Sequence, residues 1–236
     1  MFSAKRKENL GSMKSSVSIV RCKNYDDDEV LRGLRRSIDL IGGIELFVKK
    51  GNRVLLKPNL LYGKPPEKAV TTHPSIVKGM IQIVQEAGGV PFIGDSASVG
   101  SLVRTAEKAG IKAIADAMKC PLVEFDKPMQ PPDGGGKKFR QLEIDRSVLE
   151  ADVIINLPKW KTHAQMLLTL GVKTSSDVFP GLKRPYGTSR QEMIEKILPK
   201  FWWISIRSSI PHSPSWMGLW EWKGMDRIAV DRFLWN

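Results

Sequence analysis

Residues 153–163 read Val-Ile-Ile-Asn-Leu-Pro-Lys-Trp-Lys-Thr-His, a short apolar run that leads into two lysines and a histidine. The run begins with three β-branched residues and is too short for a helix, so it predicts a central strand covered on both faces. The proline has no N–H to donate and ends the strand. Lys159, Lys161 and His163 follow at alternate positions, which places them on one side of an extended segment. We therefore expect positive charge and one imidazole at the carboxyl end of this strand.

Two earlier segments have the same arrangement of an apolar run followed by polar residues. They are residues 53–56, followed by Lys57 and Asn59, and residues 90–93, followed by Asp95 and Ser96. Ligands bind at the carboxyl edge of open α/β sheets, and parallel strands would bring all three polar groups to that edge. The predicted fold is an α/β domain with a doubly wound, mostly parallel, Rossmann-like sheet.

The residue types at this edge suit a small anionic ligand. Lysines supply point charges, while Asn59 and Ser96 supply orienting hydrogen bonds. Asp95 and His163 are the candidate catalytic residues, as acid or base. The candidate ligand-binding residues are Lys57, Asn59, His73, Ser96, Asn156, Lys159, Lys161 and Lys173. The alternative for any one residue is structural, with Asp95 and Ser96 capping a helix and the lysines solvated in loops.

Two of these candidates depend on how loops fold. His73 precedes a helix predicted to begin at Ser75, where it could reach the site or could equally be a surface turn residue. Lys173 follows residues 164–170, which predict a short apolar helix, and it extends the basic lining only if its loop folds back over the strand ends. The small residues 96–100 let backbone N–H groups approach a ligand, but they match neither dinucleotide-binding nor phosphate-loop motifs.

Length and composition limit the class of protein. A chain of 236 residues is long enough for one large α/β domain. No apolar run approaches the ~20 residues that span a bilayer, and the N-terminus lacks the apolar core of a secretion signal. We therefore expect a cytoplasmic protein without a membrane span. Two separated cysteines and three histidines without metal-ligand spacing predict neither a disulfide framework nor a metal site in this chain.

The charge pattern does not favour nucleic acid as a partner. The formal net charge is +12, but the charges are interspersed along the chain. A nucleic-acid-binding protein more often shows a continuous basic stripe or an aromatic platform. The acidic residues 26–29 stand at the start of a predicted helix, where they complement its dipole, so we interpret them as capping and not as metal ligands. A nucleic-acid-binding module is the less favoured alternative.

Several short segments together resemble the domain-of-unknown-function family 362 (DUF 362). They are Leu-Lys-Pro-Asn (56–59), Thr-His-Pro (72–74), Gly-Asp-Ser (94–96), Asn-Leu-Pro-Lys-Trp-Lys-Thr-His (156–163), Gly-Val-Lys (171–173) and Pro-Gly-Leu-Lys (180–183). The family's prokaryotic members are often joined to a ferredoxin-like iron–sulfur module. The resemblance therefore implies an α/β fold and a redox-associated setting with a ferredoxin-type electron partner. This sequence lacks that module, so we expect no cofactor within it. It also has Thr174 where the family continues with Asn.

Composition divides the chain into three parts. Residues 1–14 predict a flexible basic leader, residues 15–200 predict the α/β domain, and residues 201–236 form a tail that contains six of the seven tryptophans. A tryptophan-rich tail could bind a membrane or a partner, since tryptophan favours interfaces. It shows neither helical nor alternating periodicity, however, and Pro211 and Pro214 interrupt it, which disfavours this explanation.

A shifted reading frame is the other explanation of the tail. With only third codon bases free, back-translation of residues 201–224 in a shifted frame permits a continued amphipathic helix, then a strand and a glycine-rich turn. We therefore expect a domain truncated at its C-terminus, whose sheet loses at least one strand and keeps an uncovered edge. An inactive truncated remnant is accordingly the alternative to a ligand-binding protein.

Overall fold

The computed structural model of the chain describes residues 16–60, 62–96, 100–129, 144–159, 161–163, 167–169, 215–221 and 227–234. The last four ranges are described by their backbone. The helices are α1 (Asp27–Asp39), α2 (Pro74–Glu86), α3 (Leu102–Lys108), α4 (Ile111–Ala117) and α5 (Arg146–Leu149), with 3-10 turns at Ile44–Leu46 and Pro66–Lys68. The strands are β1 (Ser16–Arg21), β2 (Arg53–Pro58), β3 (Val90–Asp95), β4 (Leu122–Glu124), β5 (Pro128–Met129), β6 (Ile144–Asp145), β7 (Val153–Leu157), β8 (Lys161–His163), β9 (Leu167–Thr169), β10 (Ser215–Glu221) and β11 (Arg227–Leu234).

Seven of the described strands form one sheet in the order β1-β11-β10-β7-β2-β3-β4. β10, β7, β2, β3 and β4 are parallel to one another, and β11 lies antiparallel between β1 and β10. The predicted mostly parallel α/β sheet is therefore confirmed. The residues of β7 are all buried and the strand has a neighbour on each side, as its β-branched run predicted.

The sheet separates two apolar clusters. Val54 and Leu56 of β2 belong to the larger cluster, which includes residues of α1, α2, α3 and α4. Leu55, between them, belongs to a smaller cluster with Phe125 and Val148. Because neighbouring side chains of a strand point to opposite faces, the two clusters cover opposite faces of the sheet. Both faces are thus packed, which is the arrangement of a doubly wound fold.

The first helix begins where its acidic residues predicted. The side chain of Asp26 accepts hydrogen bonds from the backbone N–H groups of Asp28 and Glu29, so the cluster caps α1. The buried side of α1 is hydrogen-bonded to β1. The hydroxyl of Ser18 in β1 donates to the carbonyl of Ser37 in α1 at 2.6 Å. The interpretation of the acidic cluster as a helix cap is confirmed.

Part of the tail takes part in the sheet. Residues 215–221 and 227–234 are strands β10 and β11, and Trp216 of β10 lies opposite Ile154 of β7. The prediction of a truncated domain with an uncovered sheet edge stays a prediction. Aromatic and β-branched residues favour strands. The backbone N–H and C=O groups along one side of β7 also offer hydrogen-bond partners, which the residue pattern of the tail does not reveal. The reading-frame hypothesis concerns the gene and stays a prediction.

Residues 164–170 differ from their expectation as a helix. Residues 167–169 form β9, which pairs antiparallel with β8 in the register Lys161 to Thr169. A run this short has no decisive periodicity, so a strand partner overrides its helical propensity. The leader at residues 1–14 and the predicted boundary at residue 200 lie outside the described residues. Within the described ranges, no helix has both the length and the apolar character needed to cross a bilayer.

The pairing of the tail leads to a hydrogen-exchange prediction. In the intact chain, the backbone amides of residues 215–221 should exchange more slowly than those of an unstructured peptide, because β10 lies between two strands. Exchange read by mass spectrometry on short peptides tests this, with β7 as the protected reference. Exchange of residues 215–221 at the unstructured rate would show that the tail does not join the sheet.

Candidate functional site

The candidate site lies where the chain leaves two adjacent parallel strands in opposite directions. After β2 the chain passes through α2 to β3, which lies on one side of β2 in the sheet. The next strand of this sheet after β7 in the sequence is β10, and it lies on the opposite side, next to β7. Such a divergence opens a crevice at the carboxyl ends of the strands. The register places Lys57 of β2 opposite Asn156 of β7, and each side chain is only 1% exposed.

A buried ion pair closes the ends of β2 and β3. Lys57 Nζ lies 2.6 Å from Asp95 Oδ1, and both side chains are almost fully buried. Asp95 Oδ1 also accepts from the N–H of Ser96 at 2.9 Å, and Oδ2 accepts from the N–H of Leu60 at 2.8 Å. Three donors therefore hold this carboxylate, which makes Asp95 an anchor for the two loops that leave these strands.

Thr72 fastens the loop between β2 and α2 to the middle of the sheet. Its hydroxyl donates to the carbonyl of Leu157 at 2.6 Å and accepts from the N–H of Asn59 at 2.8 Å. The N–H of Thr72 in turn donates to the carbonyl of Asn59 at 3.2 Å. These bonds link the ends of β2 and β7 and bring the next residue, His73, to the same edge.

His73 caps α2 and lies against a tyrosine. Its Nδ1 accepts from the N–H of Ser75 at 3.3 Å, and Pro74 supplies the first helical residue. The hydroxyl of Ser75 lies 2.5 Å from Nδ1 and donates to the carbonyl of Tyr25 at 2.8 Å. The rings of His73 and Tyr25 stack with centroids 3.7 Å apart and an interplanar angle of 18°.

Lys159 completes this group from the end of β7. The lysine is 1% exposed, and its Nζ donates to the hydroxyl of Tyr25 at 2.7 Å while lying 5.1 Å from the centre of the ring. Lysine, tyrosine and histidine thus come from β7, from the loop after β1 and from the start of α2. We refer to Lys159, Tyr25 and His73 as the tyrosine cluster.

The tyrosine cluster suppresses protonation of its histidine. Burial, and after it the positive charge of Lys159, lower the pKa of His73 to about 4 against weaker opposing effects of Asp27 and Glu67. At neutral pH the ring is therefore uncharged.

Most of the predicted site residues meet at this edge. The structure places Lys57, Asn59, Asp95, Ser96 and Asn156 at the ends of β2, β3 and β7, and it places His73 and Lys159 in the tyrosine cluster. The alternative that Asp95 caps a helix does not apply, because Asp95 pairs with Lys57 and the cap of α3 is Ser101. His73, for which a surface turn was the alternative, caps α2.

Three predicted residues are not tested by side-chain geometry. Lys161 and His163 lie in β8, whose backbone pairs with β9. Lys173 lies outside the described residues. Their roles in ligand binding, and the role of His163 as an acid or base, stay predictions.

Two residues of the site were missed from sequence. Tyr25 follows the end of β1 by four residues, farther from its strand than the polar residues at the ends of β2 and β3. Its place after a strand was therefore a weaker signal than theirs. Thr72 had no comparable signal, because only the folded chain brings its hydroxyl to the carbonyl of a residue on β7.

The donor set at this edge suits an anion better than a cation. It offers lysine ammonium groups and the positive N-terminal end of α2, a helix of 13 residues. Among the residues the structure describes, no three histidine, cysteine or acidic side chains come together in an arrangement that could hold a metal ion.

Comparisons with known proteins place the chain among relatives. A family model described as "Domain of unknown function (DUF362)" matches residues 54–202. A thylakoid-associated protein of Synechocystis sp. is 43% identical over 169 residues, which is 72% of this chain and 52% of that protein. The chain thus spans about half the length of this relative. The lactate racemase apoprotein of Thermoanaerobacterium thermosaccharolyticum aligns with a TM-score of 0.48 and 15% identity, over 90% of this chain and 53% of that one.

The buried ion pair leads to a prediction about stability. Lys57→Met and Asp95→Asn should each lower the free energy of unfolding by about 3–5 kcal/mol, because each leaves a buried partner without its charge complement. The double variant should lose less than the sum of the two. Urea unfolding followed by circular dichroism measures this.

A matched control is the exposed pair of Lys112 and Asp116 on α4. Lys112→Met should cost only about 0.3–0.5 kcal/mol, as for other helix surface pairs. Equal losses for the buried and the exposed lysine would contradict a structural role for the Lys57–Asp95 pair.

The lowered pKa of His73 leads to a prediction about pH. The folded-state pKa of about 4 lies below the ordinary value of 6.5, so between these pH values the unfolded chain binds more protons. This contribution to stability is complete above pH 6.5 and is lost as the pH falls toward 4. His73→Asn keeps a capping acceptor but does not titrate. The difference in unfolding free energy between the native chain and this variant should therefore shrink as the pH falls through this range. A difference independent of pH would contradict the assignment.

Proposed function

The chain belongs to the domain-of-unknown-function family 362, and on that premise we propose that it binds a small anionic ligand at the carboxyl ends of β2, β3 and β7. The observation that carries the proposal is the burial of two lysines, Lys57 and Lys159, each 1% exposed, beside the crevice between β2 and β7. Burying an ammonium group is costly, so two at one edge need a compensating role.

The two lysines have different surroundings. Lys57 pairs with the carboxylate of Asp95, so its charge is balanced within the protein. Lys159 contacts the hydroxyl and the ring face of Tyr25, which are neutral groups, and its positive charge contributes to the lowered pKa of His73. Lys159 therefore brings positive charge to the part of the edge that holds Tyr25 and His73.

Other parts of the site support the same ligand class. The N-terminal end of α2 carries partial positive charge and is directed to the edge by the bonds of Thr72 and the cap of His73. A neutral His73 adds no charge of its own to the site. A carboxylate or phosphate group fits this set of donors.

Binding of small anions by the purified chain tests the proposal. Titration calorimetry with inorganic phosphate and with acetate, at low ionic strength and neutral pH, should detect binding of at least one probe. Lys159→Met should weaken it by about tenfold or more, because it removes a charge-assisted donor. The matched control, Lys112→Met, removes a surface lysine from α4 and should leave binding unchanged. Equal binding by the two variants would refute the role of Lys159.

The second candidate function is an inactive remnant of such a protein. The chain spans about half the length of the relative from Synechocystis. Association with thylakoids is a property of that relative. A remnant would fold and bind neither probe, so the same calorimetry separates the two candidates. A ferredoxin-type electron partner, a redox-associated reaction and a cytoplasmic location remain predictions from the sequence.

A further inference from the structure

We infer that Tyr25 is the proton-exchanging group of this site and that Lys159 stabilises its phenolate form. The inference deepens the proposed function and rests on it for the position of the ligand. It assigns to the tyrosine cluster a task beyond binding, namely to give a proton to the bound anion or take one from it. Tyr25 contacts both other members of the cluster, through its hydroxyl and through its ring face.

The first support is the contact between Lys159 and the phenol. At 2.7 Å, Lys159 Nζ is within hydrogen-bonding distance of the Tyr25 oxygen, and both groups belong to the interior edge of the sheet. An ammonium group at this distance stabilises a negative oxygen more than a neutral one, and a poorly hydrated setting strengthens that preference. Ionisation of the phenol would convert a neutral contact into an ion pair.

The second support is the fixed orientation of the ring. One face of Tyr25 stacks on His73 at 3.7 Å, and its backbone carbonyl accepts from the hydroxyl of Ser75 at 2.8 Å. Ser75 belongs to α2, so a helix holds the loop after β1 in place. A proton donor is effective only when its oxygen is positioned before the ligand arrives, and these contacts provide that positioning.

The third support is the state of the other titratable groups. Asp95 accepts from Lys57 and from two backbone N–H groups, so its oxygens are engaged in holding the loops. His73 has a pKa of about 4, which makes it a weak base at neutral pH. Tyr25 is a further titratable group at this edge, and its hydroxyl oxygen contacts the ammonium group of Lys159.

Other charges act on the tyrosine cluster besides Lys159. Among the described residues, the carboxylates that act on His73 are those of Asp27 in α1 and Glu67 in the 3-10 turn at Pro66–Lys68. The carboxylate of Asp27 forms an ion pair with Lys78, which offsets part of its negative charge. Lys159 is the charge in direct contact with the phenol oxygen.

The proposed step is a proton transfer without electron transfer. The O–H bond of Tyr25 breaks as a new O–H bond forms on a basic oxygen of the ligand, and the negative charge moves to the phenolate beside Lys159. The reverse step returns the proton and restores the neutral phenol. The ligand class is therefore an anion that carries an ionisable oxygen near the group that Lys159 attracts.

Ultraviolet titration of the full chain without ligand tests the inference, because phenolate absorbs where phenol does not and the chain has three tyrosines. One of the three should ionise at a lower pH than the others. Tyr25→Phe should remove that early component, which is one third of the phenolate signal. Lys159→Met should move the component to higher pH, whereas Lys159→Arg should keep it early. Tyr62→Phe, at an exposed tyrosine, should leave it intact.

The outcomes separate this inference from the proposed function. An unchanged early component in Tyr25→Phe, or its absence from the native chain, overturns the inference. An early component that is lost in Tyr25→Phe supports it, even if Lys159→Met does not fold and only Lys159→Arg can be compared. Failure of phosphate and acetate to bind while the early component persists refutes anion binding and leaves the coupling of Tyr25 and Lys159 supported.

Discussion

The buried ion pair between Lys57 and Asp95 is the constraint on which the rest of this edge depends. Both side chains are nearly inaccessible to water, and burying either charge without the other would cost free energy. The folded state is therefore stable only with the two groups in contact. Their contact ties the end of β2 to the end of β3, and the remaining acceptor positions of Asp95 hold the N–H groups of Leu60 and Ser96. Two loops therefore leave the sheet in defined directions.

The tyrosine cluster depends on that anchoring. The loop that starts at Leu60 returns to the sheet through Thr72, whose hydroxyl bridges β2 and β7, and then delivers His73 to the start of α2. His73 stacks on Tyr25, and Tyr25 contacts Lys159. Burial of His73 in this cluster and the positive charge of Lys159 together lower the pKa of His73, so the packing of the cluster keeps its imidazole neutral at neutral pH.

Sequence reasoning was most reliable where one physical rule governed a whole segment. The β-branched run of β7 and the acidic cap of α1 depend on local rules, and the structure confirms both. The family resemblance, carried by short segments such as residues 156–163, is confirmed by the match over residues 54–202. Residues 167–169 were predicted to be helical but form a strand, because their pairing with β8 decides their conformation.

The amino-acid sequence by itself determined a parallel α/β sheet and the gathering of lysines and polar residues at its carboxyl edge. Both follow from apolar runs that end in polar residues, a pattern that is local to each strand. Only the tertiary structure decided which of those residues pair, because the Lys57–Asp95 contact spans 38 positions and the Lys159–Tyr25 contact spans 134. It also decided that Asp95 is an anchor and that Tyr25 belongs to the site, since burial and charge compensation exist only once the strands are assembled.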